Sequence, residues 1–246
     1  AHYYLSELYV KLELVENAIP HLEYVINTTE NRYKEQSLFT LAQIHIDNNS
    51  WIKAISVLET LENEASNNRN ALYASANLMQ AYYKTNASES AKLKADNILL
   101  NSDLAEIIKE DAHLILAKLY FEALNYELSK LNYNAIKDSQ RSDIAVEASY
   151  YLAFFDHSKG LWEQSNSKLQ TLIKTYPNQK YFCSKALLLM AKNFEALKDA
   201  FQATYILENL ITNFKDFDNV SREAEEVLKQ IKENEAKTNA SIKIQE

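Results

Sequence analysis

A small residue recurs along this 246-residue chain at Ala18, Ala54, Ala91, Ser129, Ser165 and Ala203, at intervals of 36, 37, 38, 36 and 38 residues. A period of that size marks a chain built from one supersecondary unit repeated, because a single unit cannot bury its own apolar face and stacked neighbours cover it. Other slots keep the same register. Thirteen residues before each small residue stand Leu5, Leu41, Leu78, Leu116, Leu152 and Met190; nine before stand Tyr9, His45, Tyr82, Tyr120, Asp156 and Phe194. Seven after stand Val25, Leu61, Ile98, Ile136, Leu172 and Leu210, all aliphatic. Within each half the apolar residues lie three and four apart, so each unit reads as two amphipathic helices of roughly 14 residues, about 21 Å long.

One Gly and two Pro in the whole chain set the class. Hairpins and phosphate-binding turns need positive φ, which Gly adopts at least cost, so the chain is expected to be all-α, with Asn supplying its corners. The polar segments DNNS, KTNASES, the region of Asn125, HSKG and LKDA fall at one register between the two halves of each unit. Trp51, Tyr126 and Trp162 open second helices, where a large ring packs across a helix–helix corner. The stretch LAKLYFEALNYELSK, residues 116–130, lacks Gly and Pro and has helical spacing throughout. The register nevertheless breaks it near Leu124 and Asn125.

Catalytic chemistry is not expected. His2, His21, His45, His113 and His157 form no H-x-x-x-H or H-E-x-x-H pair, and no nucleophile elbow, P-loop, dinucleotide fingerprint or EF-hand loop is present. Cys183 opens a helix, where the macrodipole lowers a thiol pKa, but no base stands at a telling spacing. The expected catalytic, metal and cofactor sets are therefore empty, and the chain is expected not to be an enzyme. A formal net charge of −8 with no basic run argues against a nucleic-acid partner. The longest apolar run, residues 186–191, is too short to span a bilayer. Because residue 1 lies inside a helical pattern, the chain is expected to be a piece of a longer protein.

The unit resembles the tetratricopeptide repeat, TPR. Its fifth copy carries the fullest match, with Leu152, Ala153, Gly160, Trp162, Leu169 and a closing Pro177, and the resemblance covers about residues 1–215. The units run 36 to 38 residues rather than 34, Asp156 replaces an aromatic residue, and Met79 replaces a small one. The resemblance implies a right-handed superhelical solenoid of about six helix pairs, over residues 1–30, 33–65, 70–102, 109–138, 143–177 and 180–214. A terminal helix follows at 220–232, with Ala224, Val227, Leu228 and Ile231 on one face, and then a polar, disordered tail at 233–246.

It also implies a partner, a protein or peptide held in a concave groove lined by the first helices. Carried over residue by residue, that groove holds Tyr3, Glu7, Phe39, Gln43, Asn77, Gln80, Tyr83, Lys118, Phe121, Tyr150, Phe154, His157 and Lys192. Burial between adjacent repeats is the competing reading for Phe39 and Tyr150. Groove slots filled mainly by Tyr, Phe, Leu and Gln are unlike the Lys, Asn and Arg of TPR proteins that grip the C-terminal carboxylate of chaperones. The closing phrase around Tyr176, Pro177 and Asn178 is similar to bacterial, Bacteroidetes-like envelope TPR proteins of the outer-membrane-assembly and Tol-Pal accessory types. That similarity implies a periplasmic scaffold, with a cytoplasmic adaptor as the sibling reading. Two alternatives come from other classes: an accessory repeat region of an enzyme whose active domain lies elsewhere, and an RNA-binding helical repeat, whose basic groove is missing here.

Overall fold

A computed structural model describes residues 1–28 and 32–243, and among these every regular element is an α-helix. In chain order they are α1 (His2–Lys11), α2 (Val15–Asn27), α3 (Lys34–Asp47), α4 (Trp51–Glu64), α5 (Asn68–Lys84), α6 (Ser88–Leu100) and α7 (Glu106–Glu122). There follow α8 (Tyr126–Ile136), α9 (Ser142–Ser158), α10 (Trp162–Thr175), α11 (Lys180–Ala196), α12 (Ala200–Asn213) and α13 (Asp218–Lys243). The stretch at 116–130 is indeed two helices, α7 ending at Glu122 and α8 beginning at Tyr126.

The corners inside the six pairs are built alike. One residue in each takes a left-handed backbone: Glu13, Asn49, Asn86, Leu124, Gly160 and Lys198, with φ between 53° and 75°. Each stands five residues before the small slot. In five corners the next residue donates its N–H back across the turn to the carbonyl of the aromatic slot: Leu14 to Tyr9, Ser50 to His45, Ala87 to Tyr82, Leu161 to Asp156 and Asp199 to Phe194, at 2.7–2.9 Å. This is the Schellman closure, which satisfies a helix-end carbonyl that would otherwise be orphaned. Asn fills only two of these positions. Glu13, Leu124 and Lys198 adopt the left-handed backbone with a full side chain, at a cost of about 1–2 kcal/mol each.

The helices gather into two compact units, residues 1–122 and 123–246. In the first, Ala18 and Leu22 of α2 pack with Leu41 and Ile44 of α3. Ala54, Leu58 and Leu61 of α4 pack between Leu38 and Ala42 of α3 and Ala74 and Leu78 of α5. Ala91, Ala95 and Ile98 of α6 pack with Met79 and with Ile115, Leu116 and Leu119 of α7. The small slots are solvent-free, which lets paired helices approach closely. Each fully buried Leu contributes about 1.5–3 kcal/mol. Glu35 of α3 ties down the start of α5: it accepts from Ser66 Oγ at 2.6 Å, from the Ser66 and Asn67 backbone N–H groups, and from Asn70 Nδ2 at 2.6 Å. The Ser66 hydroxyl bond, with the others, holds its carboxyl below the usual carboxylate range.

In the second unit Val146, Tyr150 and Ala153 of α9 share a core with Leu169 and Leu172 of α10 and Ala186, Leu189 and Met190 of α11. Ala203, Leu207 and Leu210 of α12 bind α11 to Val220, Ala224, Val227 and Ile231 of α13. The expected terminal helix at 220–232 does not stop there: α13 continues to Lys243, through most of the segment read as a tail. Charge alone does not end a helix. Residues 233–243 contain neither Gly nor Pro, and Lys, Glu and Ala propagate a helix already nucleated by the apolar face before it. Residues 244–246 of that tail lie outside the described residues.

Candidate functional site

All thirteen groove residues named from the sequence lie on first helices. In the first unit they form local clusters. On α1 the Tyr3 hydroxyl donates to Glu7 Oε1 at 2.7 Å, its ring stacks 4.1 Å from that of Tyr33, and burial raises its pKa to about 12. On α3 the Phe39 ring lies 4.5 Å from Tyr73 of α5, whose hydroxyl donates to Gln43 Oε1 at 2.7 Å. Gln43 in turn donates to Asp47 at 2.8 Å, and Asn77 to the Tyr73 carbonyl at 2.8 Å. Burial pushes the Tyr73 hydroxyl up to about 12, so it remains a donor over the ordinary pH range. Gln80, Tyr83, Lys118 and Phe121 are half-buried, with Tyr83 packed against the α6–α7 core.

In the second unit the residues converge. Tyr150, Phe154 and His157 of α9 and Lys192 of α11 line one pocket of about 290 Å³, closed on its far side by Asn219, Val220 and Glu223 of α13. Tyr150 is its floor: only 8% exposed, it meets its neighbours chiefly through its ring, and burial raises its hydroxyl pKa strongly. The Lys185 ammonium lies 4.3 Å from the Tyr150 ring centre, 5.3 Å from Tyr151, 5.6 Å from Tyr181 and 5.7 Å from Phe182. A cation among ring faces is attracted by their quadrupoles. Lys192 is paired with Glu223 at 2.5 Å. The wall therefore offers rings for an apolar side chain, the Lys185 ammonium among those rings, and the Lys192–Glu223 ion pair.

His157 is held in place from beneath. The amide NH2 of Asn193, itself solvent-free, donates to Ser165 Oγ at 2.9 Å and Asn166 Oδ1 at 2.8 Å. Its oxygen is left to accept from the Nδ1–H of His157 at 2.5 Å, which fixes the ring's tautomer and leaves Nε2 as the other polar atom. Beside it, Asp156 explains its departure from the aromatic slot. Its buried carboxylate meets Lys168 of α10 at 2.5 Å and Lys130 of α8 at 3.9 Å, so an ion cluster replaces ring packing in this repeat.

Sequence reasoning missed Tyr73, Tyr181, Lys185, Asn193 and Glu223. A signal existed for most of them. Stepping back along α11 from Lys192 by three or four residues reaches Leu188, Lys185 and Tyr181, but on α11 the register carried over Lys192 alone. Glu223 escaped because α13 was read as a cap, although it presents its first turns to the pocket as a first helix would.

Among the described residues no three His, Cys, Asp or Glu side chains converge as a metal site, and no helix is long and apolar enough to cross a membrane. Cys183 is buried, its Sγ 3.3 Å from the Tyr176 carbonyl, and burial raises its thiol pKa. That is the reverse of the lowering a helix start would give, and of what a nucleophile needs.

The family model described as Tetratricopeptide repeat matches residues 185–216, spanning most of α11, α12 and the turn beyond. The match falls on the sixth unit, not on the fifth with its closing Pro. No curated protein matches the chain. Among solved structures it is similar to "YrrB: a TPR protein with an unusual peptide-binding site", at TM-score 0.61 and 13% identity, over 85% of this chain and 97% of that one. The fold is that of the tetratricopeptide repeat. A tetratricopeptide repeat protein from Parabacteroides merdae is similar at TM-score 0.57 and 13% identity, over 91% of this chain and 97% of that one. "MamA MSR-1 C2" is similar at TM-score 0.52 and 13% identity, over 80% and 98%. This helix-pair array thus shares its fold with proteins of very different sequence.

Proposed function

We propose that this TPR chain is a non-catalytic interaction scaffold that grips a peptide segment of a partner protein at the pocket between α9, α11 and α13. The observation that carries the reading is convergence: Phe154, His157 and Lys192, separated by up to 38 residues in sequence, line one pocket floored by Tyr150 and flanked by Lys185. A volume of about 290 Å³ suits one or two peptide side chains and lies at or below the lower end for small-molecule sites. An apolar side chain would cover Phe154 and Tyr181, and an acidic neighbour would face Lys185 and Lys192. Aromatic anchors of this kind dominate the energetics of protein interfaces. A peptide-binding site is named for YrrB, which shares the fold. Within the first unit, the clusters at Tyr3, Phe39, Gln43, Asn77, Gln80, Tyr83, Lys118 and Phe121 are proposed as contact residues of that unit by itself.

The test is a selection of peptides from a displayed library on the purified chain, followed by hydrogen exchange with a selected peptide bound. Slowed exchange is expected at residues 150–158, 181–192 and 219–224. Protection confined to second helices, or to segments away from the pocket, would remove this site. The negative formal charge supports a protein over a nucleic-acid partner; a salt-sensitive shift of RNA would reverse that choice. The envelope location belongs to the same proposal and rests on the resemblance of the Tyr176–Asn178 phrase. Fractionation of native cells checks it, and recovery of the protein with the cytoplasm would refute it.

A further inference from the structure

Where the aromatic slot of a first helix carries a polar group, the fold usually gives that group a partner. The Tyr82 hydroxyl donates to Glu59 Oε1 at 2.6 Å, and the Asp156 carboxylate meets Lys168 at 2.5 Å and Lys130 at 3.9 Å. His45, in the same slot and only 5% exposed, is different: among the described residues no group hydrogen-bonds to its ring. The register shows why. The positions equivalent to Lys130 and Lys168 hold Ile19 and Val57, which offer no polar atom. The position equivalent to Glu59 holds Glu23, but an imidazole is shorter than a phenol and makes no hydrogen bond to it.

His45 instead faces a cavity of about 460 Å³ confined to α2, α3 and α4, the size of a small-molecule site and far more than a bound water needs. Ile19, Ile26, Leu41 and Val57 give it aliphatic walls, with Glu23 on the α2 side and Lys53 on the α4 side. Glu23 and Lys53 act on His45 in opposite senses, yet among the described residues they form no ion pair with each other. Burial lowers the His45 pKa, so at neutral pH the ring is uncharged, one nitrogen donating and the other accepting. We propose that this cavity binds a small zwitterion with an aliphatic body, a free branched-chain amino acid or a short peptide of such residues. Its ammonium group meets Glu23, its carboxylate meets Lys53 and accepts from the His45 N–H, and its side chain covers Ile19, Leu41 and Val57. A ligand with a single charge leaves one of the two opposite charges unmatched, and a wholly apolar one leaves the buried imidazole without a partner.

Methyl NMR of the chain tests this, by titration with leucine, with the dipeptide of leucine, and with two leucine analogues that each lack one charge, isocaproate and isopentylamine. Saturable shifts are expected at the methyls of Ile19, Ile26, Leu41 and Val57 with leucine or its dipeptide, and the tighter of the two identifies the source. Both analogues should bind at least about tenfold more weakly, the usual effect of losing one charge-assisted hydrogen bond. Glu23→Gln and Lys53→Gln should each weaken binding by a similar factor, and because both side chains are exposed the fold is kept. His45→Tyr, which restores the ring of Tyr9 and Tyr82 to the slot and fills the cavity, should abolish the shifts in a folded protein. The proposal is overturned by the absence of saturable shifts with all four probes at millimolar concentration, by an analogue that binds as tightly as leucine and its dipeptide, or by binding that survives His45→Tyr.

Discussion

His45 stands where neighbouring repeats carry Tyr9 and Tyr82, and it is buried. Burial lowers its pKa, Lys53 adds to the lowering, and Glu23 and Glu16 oppose it. A folded-state pKa below the unfolded value of 6.5 means that the unfolded chain binds the proton more readily, so stability is complete above about pH 6.5 and is lost as pH falls below it. We predict a decline in Tm from pH 7.5 to 5.5 that is shallower in His45→Tyr, whose ring has room in the cavity of about 460 Å³ beside it. Thermal melts at the two pH values check this; equal slopes for both proteins would show that His45 titrates as freely folded as unfolded. At the same scale, the sequence disclosed His45 as a packed residue because the register placed it in the aromatic slot. It did not disclose Asn193, whose importance rests on the three polar atoms gathered around one buried amide.

The corner is the element that repeats most faithfully, and its energetics can be read from a pair of substitutions. Gly160 has φ +75°, and a Cβ built there meets only Trp162, at 4.0 Å, so Gly160→Ala carries a backbone cost without a clash. A destabilisation of about 1 kcal/mol is expected. Lys198, with φ +65° in the equivalent corner, should gain by Lys198→Gly, by about 0.5–1 kcal/mol. Urea denaturation of the two variants measures both signs, and stabilisation by Gly160→Ala would contradict the account of the corner. The scarcity of Gly was a sound guide to helices, because the only left-handed positions the fold requires among its described residues are these six. It was a poor guide to which residues fill them. Schellman closure tolerates Glu13 and Lys198 where a backbone hydrogen bond holds the turn, and no propensity scale singles out Leu124 for the left-handed position of its corner.

At the scale of the molecule, period and small-residue slots made the helix-pair architecture legible, because those slots report contacts that every copy must make. The pocket was legible in part. Phe154, His157 and Lys192 lie on the face that register assigns to the groove, whereas Lys185 and Glu223 depend on how α11 and α13 lie against α9, a tertiary fact that a repeat pattern does not encode. The extent of α13 was hidden for a different reason, since a charged sequence can be helical or not according to what precedes it. The central claim is that the pocket side chains serve a partner more than they serve the fold. Its most direct measurement is the Kd of a selected peptide for wild type and Phe154→Ala, with the Tm of each. The account predicts at least about a tenfold rise in Kd, as for an aromatic anchor in an interface, with a fall in Tm of no more than a few degrees. Unchanged affinity in a folded Phe154→Ala protein would contradict it.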